Sequence, residues 1–497
     1  MDIKRSSGLV LHISSLPGPF GIGSFGAYAR AFGDFLKAAG QQYWQILPLT
    51  PTGFGDSPYQ SCSGRAGNPY FIDLETLIQD GLLERSEVSA ACAGAGIDYV
   101  DYDMLYKTRL PLLRKAFTRG RKTLAKPMAA FNKQNADWLD DYALFMAIKA
   151  EYGMRPLSQW PDAGIIAREP KDLKNAEREL AEETAFYKFL QYEFYSQYSA
   201  LKKYVNGLGV KIIGDLPIYV SEDSVEVWTE SELFLLESPA KPSAVAGVPP
   251  DLYSETGQLW GNPVYDWKHH EQDGFKWWAG RIKHLSQLCD VIRIDHFRAF
   301  HSYWEVKAGE KTALNGHWRK GPGMKLIEAL HEAAPDVGII AEDLGDLDAK
   351  ARHFIEKSEV PGMSVLVYAF DTGRDSEYLP HNTLRRCVAY TSTHDSPTFL
   401  DWLIGGASPE ERKFAQSYLR LRDDEGLAWG AVKAVWASPA SLAMAPMNDI
   451  LGLGADTRMN IPSTLGGLNW RWRVRAEAMN KALAAMLRDV TNIYRRL

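Results

Sequence analysis

Cysteine is scarce in this sequence. Four residues in 497, Cys62, Cys92, Cys289 and Cys387, form no CxxC pair and no zinc-ligand spacing. That excludes a disulfide scaffold and suits a reducing compartment. Long apolar runs are missing as well. No uncharged stretch reaches the length that spans a bilayer, and residues 1–7 hold no apolar signal core. The protein is therefore expected to be soluble and cytoplasmic, without a membrane partner. Net charge is −6 and no basic block occurs, which argues against nucleic acid as a partner. No GxGxxG or GxxxxGK(S/T) follows an apolar run, so a dinucleotide or P-loop site has no support.

Apolar residues are present in quantity. They make up 45% of the chain, enough for a large core. Aromatic residues reach 12%, and some stand beside glycine, proline and polar residues instead of in apolar runs. Trp260, between Gly257 and Gly261, is the clearest case. A flat ring in a loop suits the C–H face of a sugar; the alternative is ordinary core packing.

Short β-branched runs recur along the chain and read as buried parallel strands. They are expected at 8–13, 43–49, 210–215, 291–295, 337–341, 363–370, 388–393 and 442–447. Helices are expected between them, the first with Phe32, Phe35, Leu36 and Ala39 on one face and Gly40 as its stop. Others are expected at about 323–334, 346–357, 408–421 and 474–495. Eight such repeats predict an α/β fold, a (β/α)8 barrel forming a single catalytic domain over 1–497. An inserted helical subdomain is expected after strand 2, at about 60–205, and an irregular insertion over the active site at about 221–275. A doubly wound open sheet is the alternative.

Three carboxylates follow three of these runs: Asp295, Glu342 and Asp395. In a barrel, strand C-termini face the active site, so the three converge. Paired carboxylates are what glycosidic-bond chemistry requires. Arg293 shares a strand face with Asp295 and is expected to hold it ionised, as a nucleophile. Glu342 follows a purely apolar strand, where burial favours the protonated acid. Asp395 is left to bind sugar hydroxyls and stabilise positive charge. Neighbouring strands predict a separation of about 5–5.5 Å between Asp295 and Glu342, that of a retaining pair. Each acid could instead be a helix N-cap or surface charge. His296 and His394 could be ligands of a metal-dependent hydrolase, but no His-x-His pair supports that.

Four segments in order carry a resemblance: residues 213–220 around Asp215, 293–298 around Asp295, 341–345 around Glu342 and 392–398 around Asp395. With residues 56–61, 67–70, 248–251 and 458–462, they resemble the amylomaltases of glycoside hydrolase family 77, in the α-amylase clan. The resemblance spans nearly the whole chain. It implies a 4-α-glucanotransferase with Asp295 as nucleophile, Glu342 as acid/base and Asp395 as transition-state stabiliser. It further implies that Tyr59, Asp215, Arg293, His296 and His394 line the donor sugar. Trp260 and the loop 247–255 would cover the glucan, with Tyr368 near the cleavage point. Its implied partners are an α-1,4-glucan donor and a glucose or maltooligosaccharide acceptor. No cofactor, no metal and no C-terminal β-sandwich are implied. Two stretches depart from many relatives: 62–66 is less aromatic, and Ser396-Pro397 follows Asp395. A hydrolase of the same clan uses the same acids, and a non-catalytic glucan-binding barrel is a third reading.

Overall fold

The computed structural model describes residues 4–250, 254–345, 347–371 and 375–497. Eight parallel strands form one sheet: β1 (Ser6–Val10), β2 (Tyr43–Gln45), β3 (Lys211–Leu216), β4 (Val291–Ile294), β5 (Gly338–Ala341), β6 (Gly362–Val365), β7 (Cys387–Tyr390) and β8 (Leu442–Pro446). Their order is β5-β4-β3-β2-β1-β8-β7-β6. The sheet curls into a (β/α)8 barrel. Its ends, β5 and β6, meet without a ladder, and the amide of Ala341 donates to the carbonyl of Pro361 across the seam (2.8 Å). Strands such as Val-Ile-Arg-Ile and Gly-Ile-Ile-Ala are buried at every position, as parallel strands covered on both faces must be.

Strand positions agree with the sequence pattern, but several strands are shorter. β6 ends at Val365, not 370, and the chain turns through a 3₁₀ segment, Leu366–Tyr368. Val365 pairs with Tyr390, the last residue of β7, and beyond it one bond continues, from the amide of Val367 to the carbonyl of Thr391 (3.2 Å). The helix Ala27–Ala38 stops as expected, with Gly40 left-handed at φ 71°. The last helix is Lys481–Ile493, shorter than the expected 474–495. Between β2 and β3 the described residues hold eight α-helices, from Leu74–Gln79 to Ala181–Gly207. The last of these buries Phe186, Phe189, Leu190, Phe194, Tyr198 and Leu201, an apolar stripe of helical period.

The stretch 221–275 is less irregular than its sequence suggests. It contributes the strands Ala244–Val248 and Gln258–Pro263 to a four-stranded antiparallel sheet completed by Ser302–Lys307 and His317–Lys320. That second pair interrupts the repeat after β4. Its outer strand, His-Trp-Arg-Lys, is exposed throughout, so no hydrophobic alternation marks it. Trp260 consequently stands on a strand, not in a loop.

The N-terminal end of the barrel is tied by Arg496. Its buried guanidinium donates to the carbonyls of Trp436 (2.7 Å), Ser6 (2.8 Å), Ser438 (2.9 Å) and Ala440 (2.9 Å). Arg5 also donates to the carbonyls of Ser438 (2.9 Å) and Trp436 (3.0 Å). Arg496→Met therefore takes this donor from all four acceptors but leaves those two with another, at roughly 1–3 kcal/mol for each acceptor left unpaired where water cannot reach. We expect a melting temperature lower by several degrees with kcat and KM unchanged at 25 °C, checked by thermal melting beside steady-state assay.

Candidate active site

Asp295 and Glu342 each stand where a strand stops. β4 ends at Ile294 and β5 at Ala341, and these two residues are in register. Asp295 and Glu342 therefore leave adjacent strands side by side, with backbones about 5 Å apart. Asp395 lies in the turn after β7. Asp215 is within β3, in register with Arg293 on β4. Asp295 and Asp395 keep 25% and 39% of their side-chain surface exposed, so a ligand in the cleft can touch both.

Arg293 is the cation at the centre. Its Nη1 reaches both oxygens of Asp215 (2.8 and 2.7 Å) and Oδ1 of Asp295 (3.1 Å). Arg293 favours the ionised form of Asp295, as expected of a cation beside it, but burial opposes it. Burial pushes the Asp295 carboxyl up to about 7, and Arg293 only partly offsets it. Asp215 engages the same guanidinium, while the charges of Asp215, Glu342 and Asp395 crowd Asp295. Burial also raises Glu342, against Arg293 and two backbone donors. Those donors are the amides of Leu344 (3.0 Å, to Oε1) and His296 (2.7 Å, to Oε2), which fix the carboxyl in place.

Asp395 behaves oppositely. Burial would raise it, but His394 (Nε2 to Oδ2 3.1 Å) and Asn460 (Nδ2 to Oδ1 2.6 Å) hold it down at about 2. Burial works against the His394 cation, yet Asp395 keeps its pKa raised. Tyr59 joins the two groups of charges. Its hydroxyl donates to Asp215 Oδ2 (2.8 Å) and lies 3.0 Å from His394 Nε2. The Tyr59 and His394 rings are nearly parallel, with centroids 5.5 Å apart, and Trp470 packs behind both.

His296 is left-handed (φ 47°, ψ 46°), which lets its amide turn to Glu342. Burial drives its pKa down to about 3, so the ring is neutral, and its buried Nε2 has no hydrogen-bond partner. Trp260 meets that ring edge-on at 4.9 Å. Tyr368 is half-buried on the turn after β6, 6.2 Å from Tyr378 and beside Arg458. Within the loop 247–255, residues 251–253 lie outside the described residues. Among the described residues no group of three or more His, Cys, Asp or Glu is placed to hold a metal ion.

Sequence reasoning attached no role to several neighbours. Asn460 holds Asp395, and Arg458 donates to the Asp395 carbonyl. Gln60 ties Tyr59's segment to the Trp260 carbonyl (3.3 Å) and Asn262 (3.1 Å). His12 is buried after β1, where burial and the charge of His394 lower its pKa to about 3. Residues 458–462 had carried part of the resemblance, so Arg458 and Asn460 were within reach. Trp470 was not: its ring contacts are to Tyr59 and His394, both far from it in the chain.

A family model described as 4-alpha-glucanotransferase, glycoside hydrolase family 77, matches residues 11–479. The 4-alpha-glucanotransferase of Clostridium butyricum is 45% identical over 98% of this chain and 100% of that protein. That of Thermus thermophilus is 44% identical over 100% of both. Among solved structures, an amylomaltase from Streptococcus agalactiae in complex with acarbose has a TM-score of 0.96 and 41% identity. The match covers 99% of this chain and 100% of that one.

The raised carboxyl has a consequence for stability. Asp295 binds its proton more tightly folded than unfolded, so stability is lost as pH rises from about 4 through about 7. Asp295→Asn removes that loss. We expect the variant to be more stable than wild type at pH 7.5, with the gain shrinking toward pH 4. Melting curves across this range check it, and a pH-independent difference would reject the assignment.

Proposed function

The chain belongs to glycoside hydrolase family 77, the 4-alpha-glucanotransferases, and from that premise we propose how its cleft carries out the reaction. It transfers an α-1,4-glucan segment from a donor to an acceptor. The donor is a maltooligosaccharide and the acceptor is the 4-OH of glucose or another glucan. Ionised Asp295 attacks the anomeric carbon while Glu342 protonates the departing oxygen. The glycosyl ester on Asp295 is then opened by the acceptor 4-OH, whose proton Glu342 takes, and configuration is retained. The register that sets Asp295 beside Glu342, with Arg293 behind, carries this reading.

Asp395, ionised against His394, supplies negative charge to the oxocarbenium-like transition state. Tyr59 and His394 offer a paired ring surface to the donor sugar, and Asp215 keeps Tyr59 in place. Neutral His296 lines the same pocket, its ring against Trp260. Tyr368 borders the cleavage point. The helical stretch at about 60–205 and the stretch at about 221–275 act as inserted subdomains, the second over the cleft. Four free thiols accord with a cytoplasmic setting; no helix among the described residues is long and apolar enough to cross a membrane.

Both catalytic carboxyls are raised by burial and Glu342 adds to the rise at Asp295, so the limbs of a bell-shaped pH profile belong to the pair. Incubation with maltotriose tests the whole reading: transfer yields a ladder of longer and shorter sugars, whereas hydrolysis yields only glucose and maltose. Asp295→Asn cannot form the ester, and we expect transfer to fall by about 10³-fold or more in a folded protein. Substantial residual transfer would place the nucleophile elsewhere.

Hydrolysis by the same intermediate is the competing outcome, and Trp260 bears on it. We expect Trp260→Ala to weaken acceptor binding by about 1 kcal/mol, lower transfer and raise the hydrolysed fraction, with a near-native melting temperature. An unchanged ratio of transfer to hydrolysis together with a large loss of stability would reject that role.

A further inference from the structure

We propose that Asp343 is a positioning residue for the general acid, closing the barrel seam so that Glu342 keeps its orientation and its proton. The proposal rests on the acid/base role assigned to Glu342. The barrel has one junction without a ladder, between β5 and β6. Glu342 is the first residue beyond β5, so the group that must present a proton stands on the barrel's least supported edge. Asp343 spans the gap. Its Oδ1 accepts from the amide of Met363 in β6 at 2.7 Å. Its carboxylate also fills the space over Gly362, where a Cβ would overlap it. Gly362 is thus held to glycine by Asp343, not by an unusual φ. With the Ala341-to-Pro361 bond (2.8 Å), this contact pins both sides of the seam next to the acid.

The same placement has an electrostatic effect. Asp343 is faced by Glu342 from its own strand end, by Glu377 and Tyr378 from the segment after β6, and by Cys387 from the start of β7. Glu377 is paired with Arg352 (2.7 Å). Burial pushes Asp343 up to about 7 despite the Met363 amide, and Glu342 adds to the rise. As pH rises, whichever of the two ionises first makes the other harder to ionise. A second carboxyl beside the acid therefore keeps the acid protonated at higher pH.

Two variants separate anchoring from charge. Asp343→Asn keeps a carbonyl oxygen for the Met363 amide and drops the charge; Asp343→Ala drops both. In maltotriose transfer across pH, Asp343→Ala is expected to lower kcat by at least about tenfold, the cost of a misplaced catalytic group, with KM changed much less. Asp343→Asn should recover most of that loss at the optimum while its basic limb moves to lower pH. Should Asp343→Ala fail to fold, the limb of Asp343→Asn alone decides. A limb unmoved from wild type, or variants that melt lower but turn over normally when folded, overturns the proposal. Glu342→Gln, assayed with a donor bearing a good leaving group, tests the underlying role. If it retains the basic limb, the role of Glu342 fails; if it loses the limb while Asp343→Asn does not shift it, only Asp343 fails.

Discussion

One guanidinium sets the terms for this cleft. Four carboxylates, Asp215, Asp295, Glu342 and Asp395, meet at the C-terminal ends of the barrel strands, and Arg293 is the cation between Asp215 and Asp295. It is buried, so removing it would leave the buried Asp215 carboxyl without its cation, held only by the Tyr59 hydroxyl, among the more costly single changes available. Contacts then run outward from this pair: Asp295 to Arg293, to Asp215, to Tyr59, to His394, to Asp395. These residues come from β3, β4, the segment after β2 and the turn after β7. Their positions are coupled through charge and hydrogen bonds as well as through the barrel backbone.

The arrangement separates two electrostatic tasks. Asp395 has a dedicated cation and an amide donor, and stays ionised. Asp295 shares its cation with Asp215, and Glu342 has only backbone donors besides the reach of Arg293, so both carboxyls titrate high and together. The proposed mechanism, with a permanent negative charge for the transition state and a proton to move between donor and acceptor, calls for these opposite conditions. The cost appears as strain and mispairing at the site: left-handed His296 and Trp470, and the unpartnered Nε2 of His296. The far end of the barrel shows the reverse, with Arg496 spending its donors on backbone carbonyls.

In the proposed mechanism the choice between sugar and water falls to different material. Trp260 is carried by a strand in a four-stranded sheet, flanked by left-handed Gly257 and Gly261. A small second core of Val245, Val306 and Ala313 supports that sheet, and Gln60 ties Trp260's strand to the segment of Tyr59. A ring on a supported strand loses less conformational freedom on binding a sugar than one on a loose loop. The stacking surface and the donor-side rings therefore have a shared foundation.

The barrel and the placement of Asp295 and Glu342 at strand ends were legible in the sequence because both are written locally. A buried parallel strand shows as a short β-branched run, and a residue just past it must face the cleft. The (β/α)8 fold followed from periodicity and spacing, and the transferase reading from four short motifs in order. What the tertiary structure decided depends on groups far apart in the chain. Arg293 reads as Asp295's partner because they are two residues apart, yet strand register gives its closest contacts to Asp215, 78 positions away. The hairpin Ser302–Lys307 and His317–Lys320 left no hydrophobic alternation on its exposed strand, and its partners lie in another insertion. Asp343 looks like surface charge until the seam brings Gly362 against it. Sequence alone determined which chemical groups are present and on which strand ends; only the closed barrel decided how their charges are shared, because Coulomb and hydrogen-bond energies depend on separation in space, not along the chain.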